Sequence, residues 1–474
     1  MIKFDIGAGS ESIKAASFIQ LGSKIIGIIV QFLVTMVLAR LLTPEQYGVV
    51  AVLTAFSSLF NMLADAGIST AVVQFQDLKH EEHERLFFFS LLLGLVLAGF
   101  YVLLSFGIAW FYEDGIYVPL GIVLTLSILF NSLNMVPNGL LQKERKFSLI
   151  GLRLIVCNVV VGALAIILAF AGLGVFAIVL QTVLTSLFVL VWNLATSNLK
   201  MSFGDVRPVL QKVGRYSANL LGNNVIVWLS GNVDSLLAGK MFGAEALGYY
   251  NKAFQIYGYP NTILAVPITS TLIPFLTPLQ DNLAALRSKF LGVVNKVSFI
   301  CALCTVGTSV CSYEIIQIVF GDNWAPAAPL LQVLALAIYA RGVNGAHAPL
   351  LLASNRSELL IRSTLINTCM TVAMICLGGV LGSVQTLAIC LAIAYNLELF
   401  IPVYLCSRFC LSMGVWEYFK ELVPDILISV ATLVICALFP WGIGNVFLSL
   451  LAKAGLLVGL MVSLRLLSDK LTAR

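Results

Sequence analysis

Apolar residues run along this chain in blocks of about twenty, separated by short stretches rich in charge, glycine and proline. A helix needs about 20 mostly apolar residues to cross a hydrocarbon core. Fourteen blocks meet that length, at roughly 16–38, 47–66, 86–110, 116–136, 149–171, 173–193, 214–238, 248–275, 291–320, 326–349, 361–380, 383–407, 423–440 and 442–466. No connection is long enough to form a soluble domain. The pattern predicts an all-α polytopic membrane protein with about fourteen transmembrane helices.

Charge in the connections alternates. Even-numbered connections hold Lys79 and Arg85; Lys143, Arg145, Lys146 and Arg153; Lys200, Arg207, Lys212 and Arg215; Arg287, Lys289 and Lys296; Arg356 and Arg362; Arg408 and Lys420. Odd-numbered ones hold only Arg40 and Lys240. Cytoplasmic loops carry the excess of Lys and Arg, so both termini and all even connections are expected in the cytoplasm. One miscounted helix would invert every later loop.

Composition sharpens the class. The chain has 474 residues, 59% hydrophobic and 11% charged, with a mean hydropathy of +0.98. A soluble domain carries roughly 25% charge. The net charge of +5 is spread thinly over short loops, which does not suggest nucleic acid as a partner. The ten cysteines lie mostly in apolar runs and read as small hydrophobes. Cys301 and Cys304 form a CxxC with no second pair, and the HEEH of residues 80–83 lacks HExxH spacing, so no metal site is expected. The sequence has no Walker A or GxSxG motif and no apolar leader in its first fifteen residues.

The chain repeats itself. LARLLTPEQYGVV (38–50) matches AGKMFGAEALGYY (238–250): Arg40 meets Lys240, Glu45 meets Glu245 and Gly48 meets Gly248. The offset of 200 covers six helices, an even number, so the two copies share one orientation in the membrane. The expected organisation is a six-helix lobe over 1–198, a second over 199–410, and two additional helices over 411–474.

Polar residues interrupt the apolar blocks at helical spacing. Asn219, Asn223, Ser230 and Asp234 share one face of the seventh span. The first span has Gln20, Lys24, Gln31 and Thr35; the second has Thr54, Ser57, Ser58, Asn61 and Asp65; the eighth has Lys252, Gln255 and Tyr259. Serine and threonine there often serve as interhelical glue. An ionisable group at membrane depth costs about 2.5–3.5 kcal/mol on insertion scales and usually faces a wet cavity or a partner. The expectation is therefore a water-filled cavity between two lobes, reached from either side in turn. Its expected lining is Lys24, Gln31, Arg40, Asn61, Asn219, Asn223, Ser230, Lys240, Lys252, Arg341 and Asn344. Asp65, Asp234 and His347 are candidates for binding a coupling ion. Arg341, Asn344 and His347 lie within two turns in IYARGVNGAHAPLLL (338–352), with no acidic partner nearby in sequence. Glu398 and Lys453 are buried charges without an assigned place.

The stretches LARLLTPEQYGVVAVLTAFSSLFNMLADAGISTAVVQ (38–74) and NVDSLLAGKMFGAEALGYYNKAFQIYGYP (232–260) resemble the Wzx-like polysaccharide exporters. These are lipid-linked oligosaccharide flippases of the multidrug/oligosaccharidyl-lipid/polysaccharide (MOP) exporter superfamily, and the first stretch looks closest to colanic-acid-type exopolysaccharide exporters. The resemblance implies a V-shaped pair of six-helix lobes in the bacterial inner membrane. It implies a transporter, not an enzyme, that flips an undecaprenyl-diphosphate-linked repeat unit from the cytoplasmic to the periplasmic leaflet by alternating access, for exopolysaccharide or O-antigen biosynthesis. No cofactor is implied beyond coupling to H⁺ or Na⁺. The implied partners are the lipid-linked substrate, membrane lipids and the polymerase machinery. The alternative within the superfamily is a cation-coupled multidrug exporter, which would favour a smaller and more acidic pocket.

Overall fold

The computed structural model describes residues 13–65, 67–197, 199–438 and 444–472. These are α-helical almost throughout, with no strand among them. The chain divides into two compact units, residues 1–231 and 232–474.

The first unit holds α1 (Ile13–Leu41), α2 (Pro44–Asp65), α3 (Ile68–Gln74), α4 (His80–Tyr112), α5 (Tyr117–Lys143), α6 (Phe147–Phe170), α7 (Val175–Ser197) and the first part of α8 (Arg207–Leu276). The TPEQ motif starts α2 with a reciprocal cap. Thr43 Oγ1 accepts from the Gln46 N–H at 3.3 Å and Gln46 Oε1 accepts from the Thr43 N–H at 3.1 Å, with Pro44 in the first turn. Helix α5 lies at the centre, packed against α2, α3, α4, α6 and α7. Small residues permit this closeness. A Cβ on Gly94 of α4 would fall 2.8 Å from Ser132 Cβ of α5. Two hydroxyls then tie the helices: Ser132 Oγ donates to Ser90 O at 2.6 Å, and Tyr101 OH donates to Leu53 O at 2.9 Å.

The second unit holds the rest of α8, then α9 (Leu283–Val310), α10 (Ser312–Phe320), α11 (Ala327–Ala335), α12 (Ile338–Asn344), α13 (His347–Ala353), α14 (Ser357–Val380), α15 (Val384–Leu397), α16 (Phe400–Leu405), α17 (Val415–Leu438) and α18 (Val446–Thr472). Helix α8 runs for 70 residues but breaks at Gly243, whose backbone (φ 85°, ψ 171°) suits glycine alone. The break falls between the expected seventh and eighth spans. Helix α9 is the hub, packed against α11, α12, α17 and α18. The two C-terminal helices α17 and α18 pack within this unit.

Among the described residues, eleven segments are long and apolar enough to cross a membrane, or twelve if Ala327–Ala335 and Ile338–Ala353, bent by 44°, form one span. With the two parts of α8 this is consistent with fourteen. The expected ninth span, 291–320, is instead two helices, α9 and α10, and the twelfth ends in a π-helical turn at Cys406–Cys410.

The repeat shows in the turns. Arg145 and Asn355, 210 residues apart, both take φ 55° where α5 and α13 end. Each is followed by an N–H that reaches back five residues, Lys146 to Leu141 O and Arg356 to Leu351 O. Gly172 (φ 85°) and Gly382 (φ 84°), after α6 and α14, are separated by the same 210 residues. Two helix stops at one offset in both halves support a parallel repeat, about ten residues longer here than at its start.

Candidate functional site

A group of polar side chains in the second unit lines a cavity of about 270 Å³, bordered by α12, α13, α14 and α16. Arg341 enters it from α12 with its side chain 41% exposed, while Glu398, between α15 and α16, is buried. The two form an ion pair at 3.6 Å. Thr371 donates a hydrogen bond to Glu398 Oε1, which holds the carboxylate in place. The guanidinium carbon lies over the Tyr395 ring, 4.2 Å from its centroid. Tyr395 stacks parallel to Tyr257 of α8, with centroids 6.1 Å apart.

Asn344, His347, Ser363, Thr364 and Asn367 complete the polar wall. His347 is buried and its Nε2 is bonded to Tyr418 OH at 2.9 Å. Asn367 Oδ1 is buried without a hydrogen-bond partner among the described residues. Asp234, on α8, is buried and accepts from Tyr250 OH at 2.5 Å. The structure therefore brings Arg341, Asn344 and His347 to one cavity, as their spacing suggested. It adds the acidic partner that the sequence did not place beside them, Glu398, 57 residues downstream.

Lys252 is buried on α8, where its Nζ donates to Gln255 Oε1 at 3.2 Å and lies 5.6 Å from the Phe320 ring. Gln255 in turn donates to Tyr259 OH at 3.0 Å, so this polar stripe is linked along its own helix. Lys240 is exposed before the Gly243 break.

In the first unit Lys24, Gln31 and Arg40 are exposed along α1. Asp65 accepts the Ser69 N–H at 3.3 Å across the Gly67 turn into α3. Asn61 accepts from Asn131 Nδ2 at 3.1 Å. Thr54 and Ser57 bond to carbonyls of their own helix, and Ser58 Oγ accepts from Trp228 Nε1 at 2.8 Å. The side chains of Asn219, Asn223 and Ser230, which raised the idea of a polar seventh span, lie outside the described residues, as does that of Gln20.

One network was not anticipated. Asn131, Asn134 and Asn138 share a face of α5 at spacings of three and four. Asn138 donates to Ser69 Oγ at 3.5 Å and accepts from Arg153 at 3.2 Å. Arg153 also donates to Asn193 Oδ1 at 2.5 Å, and Asn193 donates to Asn134 Oδ1 at 2.6 Å. The signal was present in NSLNMVPN (131–138), inside the expected fourth span and its cytoplasmic end. Arg153 had been counted only as a loop charge.

The family described as "Polysaccharide biosynthesis protein" matches residues 37–329, more than half of the chain. The chain belongs to that family. It is 26% identical over 411 residues to the "Lipopolysaccharide biosynthesis protein WzxC" of Escherichia coli (strain K12), covering 84% of this chain and 82% of that one. It is 24% identical over 407 residues to an "Uncharacterized membrane protein in cps region" of Klebsiella pneumoniae, covering 82% of each. Its fold is similar to that of the "Lipid II flippase MurJ, inward closed conformation", with a TM-score of 0.72, 13% identity, and 98% of this chain and 100% of that one covered. The chain is thus a multi-pass membrane protein of that family, with a fold similar to the MurJ structure.

Proposed function

We propose that the chain flips an undecaprenyl-diphosphate-linked oligosaccharide repeat unit from the cytoplasmic to the periplasmic leaflet of the bacterial inner membrane. The observation that carries this reading is similarity over more than four-fifths of the chain to a lipopolysaccharide biosynthesis protein. The fold, shared with a lipid II flippase, supports it. So does the chemistry of the substrate. A headgroup of sugars and diphosphate cannot enter hydrocarbon without losing its hydration, so it needs polar groups at membrane depth. Arg341, Asn344 and the walls around them supply such groups in the second unit. The prenyl tail stays in lipid.

Flipping forms and breaks no covalent bond, so the carrier needs no catalytic group. In this reading Lys24, Gln31, Arg40, Asn61, Asn219, Asn223, Ser230, Lys240 and Lys252 serve the substrate path. Asp65, Asp234 and His347 are the groups through which H⁺ or Na⁺ would drive the return step. The basic even-numbered connections face the cytoplasm, as do both termini.

A deletion strain tests the proposal. Lipid-linked repeat units should accumulate in the cytoplasmic leaflet and surface glycan should be lost, with both restored by the full-length chain. Normal glycan export in the deletion strain, with no accumulated intermediate, would remove the proposal.

A further inference from the structure

We propose that the cavity of the second unit is a subsite for one uncharged sugar ring of the transported headgroup, not for its diphosphate. The inference rests on the flippase reading and names what this cavity holds.

Charge decides first. The only Lys, Arg, Asp or Glu side chains among the described residues bordering the cavity are Arg341 and Glu398, and they are paired with each other. A diphosphate brought here would either compete with Glu398 for the guanidinium or lie close to that carboxylate, which is buried and held by Thr371. Leaving it unpaired would cost several kcal/mol. Among the described residues no group of three His, Cys, Asp or Glu side chains is placed to hold a metal ion.

The remaining wall fits hydroxyl groups. Asn344 offers an amide, Asn367, whose Nδ2 donates to Glu398 O at 3.5 Å, offers its Oδ1 as acceptor, and Ser363 and Thr364 are on α14 in the same wall. Asn367 Oδ1 is a buried acceptor still without a donor among the described residues. A buried polar atom of that kind calls for a partner, and a turn of the Asn367 amide toward the cavity would let a sugar hydroxyl supply an O–H. With the Arg341 charge balanced by Glu398, the accessible part of the guanidinium fork offers N–H donors to sugar oxygens. The volume of about 270 Å³ lies just under the ~300–1,000 Å³ range of drug-sized sites, which suits one ring rather than a whole headgroup.

The test uses the full-length chain in lipid nanodiscs with two probes: undecaprenyl diphosphate alone, and undecaprenyl diphosphate bearing a neutral oligosaccharide. Binding is followed by native mass spectrometry or thermal shift. Asn367→Leu and, separately, Asn344→Leu should weaken the glycan-bearing lipid about tenfold while bare lipid binding stays within about twofold. Retained binding of the bare lipid shows that each variant is folded. Equal losses for both lipids would make the cavity a diphosphate site and overturn the inference. Unchanged binding of both in both variants would overturn it as well. A wild-type chain that binds neither lipid would instead remove the flippase reading beneath it.

Discussion

The second unit contains the same kind of ion pair in two settings. At α18, Arg465 pairs with Asp425 of α17 and also reaches Asn295 of α9, and Ser298 donates to Asp425 at 2.5 Å. Twelve residues earlier on α18, Lys453 pairs with Glu314 of α10 at 2.5 Å, and Ser449 donates to the same carboxylate at 2.8 Å. These pairs are dry: the Arg465 side chain is 13% exposed and Asp425 fully buried. At the cavity, Glu398 is equally buried but Arg341 is 41% exposed. Burial of charge alone therefore does not mark a site. The α18 pairs join α18 to α9, α10 and α17, a place where a buried polar pair can set which helices become neighbours. The cavity pair has one partner anchored and the other accessible, an arrangement that can meet a ligand.

The largest effect should come from breaking a dry pair. Arg465→Met leaves Asp425 buried and unpaired, and is expected to cost about 3–5 kcal/mol of stability. Thermal denaturation of the purified protein in detergent measures it. Asp425→Leu combined with Arg465→Met should recover most of the loss, because no charge is then stranded. An unchanged melting temperature in the single variant would erase the distinction between the two settings.

A smaller stability effect and a larger transport effect are expected at the cavity. Glu398→Gln frees a guanidinium that the opening can hydrate, so the loss should stay below about 2 kcal/mol. The unbalanced cation should then bind bare undecaprenyl diphosphate more tightly than the wild type does. Collapse of the fold in this variant would put the Arg341 pair in the same class as the α18 pairs.

The smallest effect belongs to the exposed pair of Lys212 with Glu82 in the first unit, at 3.0 Å. Lys212→Ala should cost about 0–1 kcal/mol and less at high salt. A loss comparable to that of Arg465→Met would mean that accessibility does not rank these pairs.

The sequence revealed the helices because hydrocarbon imposes one length on all of them. It showed the break near Gly243 because polar and small residues interrupt the apolar run there. The internal bend of 327–353 was not legible, since both arms are apolar and their composition does not change at the corner. The cavity was half legible. Arg341, Asn344 and His347 share a few turns, so spacing exposed them. Glu398 comes from a distant helix junction, and only tertiary packing pairs it with Arg341. The amide ladder of α5 is visible in the sequence only as spacing, a weaker signal than an ionisable residue inside an apolar run. Lys24 and Arg341 looked alike as intramembrane cations, yet one is exposed on α1 and the other paired within the second unit.

The most direct measurement of the central claim is transfer itself. The purified chain is reconstituted into liposomes with undecaprenyl diphosphate bearing a labelled neutral oligosaccharide, and an impermeant glycan-cleaving enzyme reports the outer-leaflet fraction over time. With an imposed H⁺ or Na⁺ gradient and no ATP, the account predicts that inner-leaflet glycan becomes cleavable only in vesicles that contain the protein, and more slowly with Asn367→Leu. Identical accessibility in protein-containing and protein-free vesicles under both gradients would contradict it.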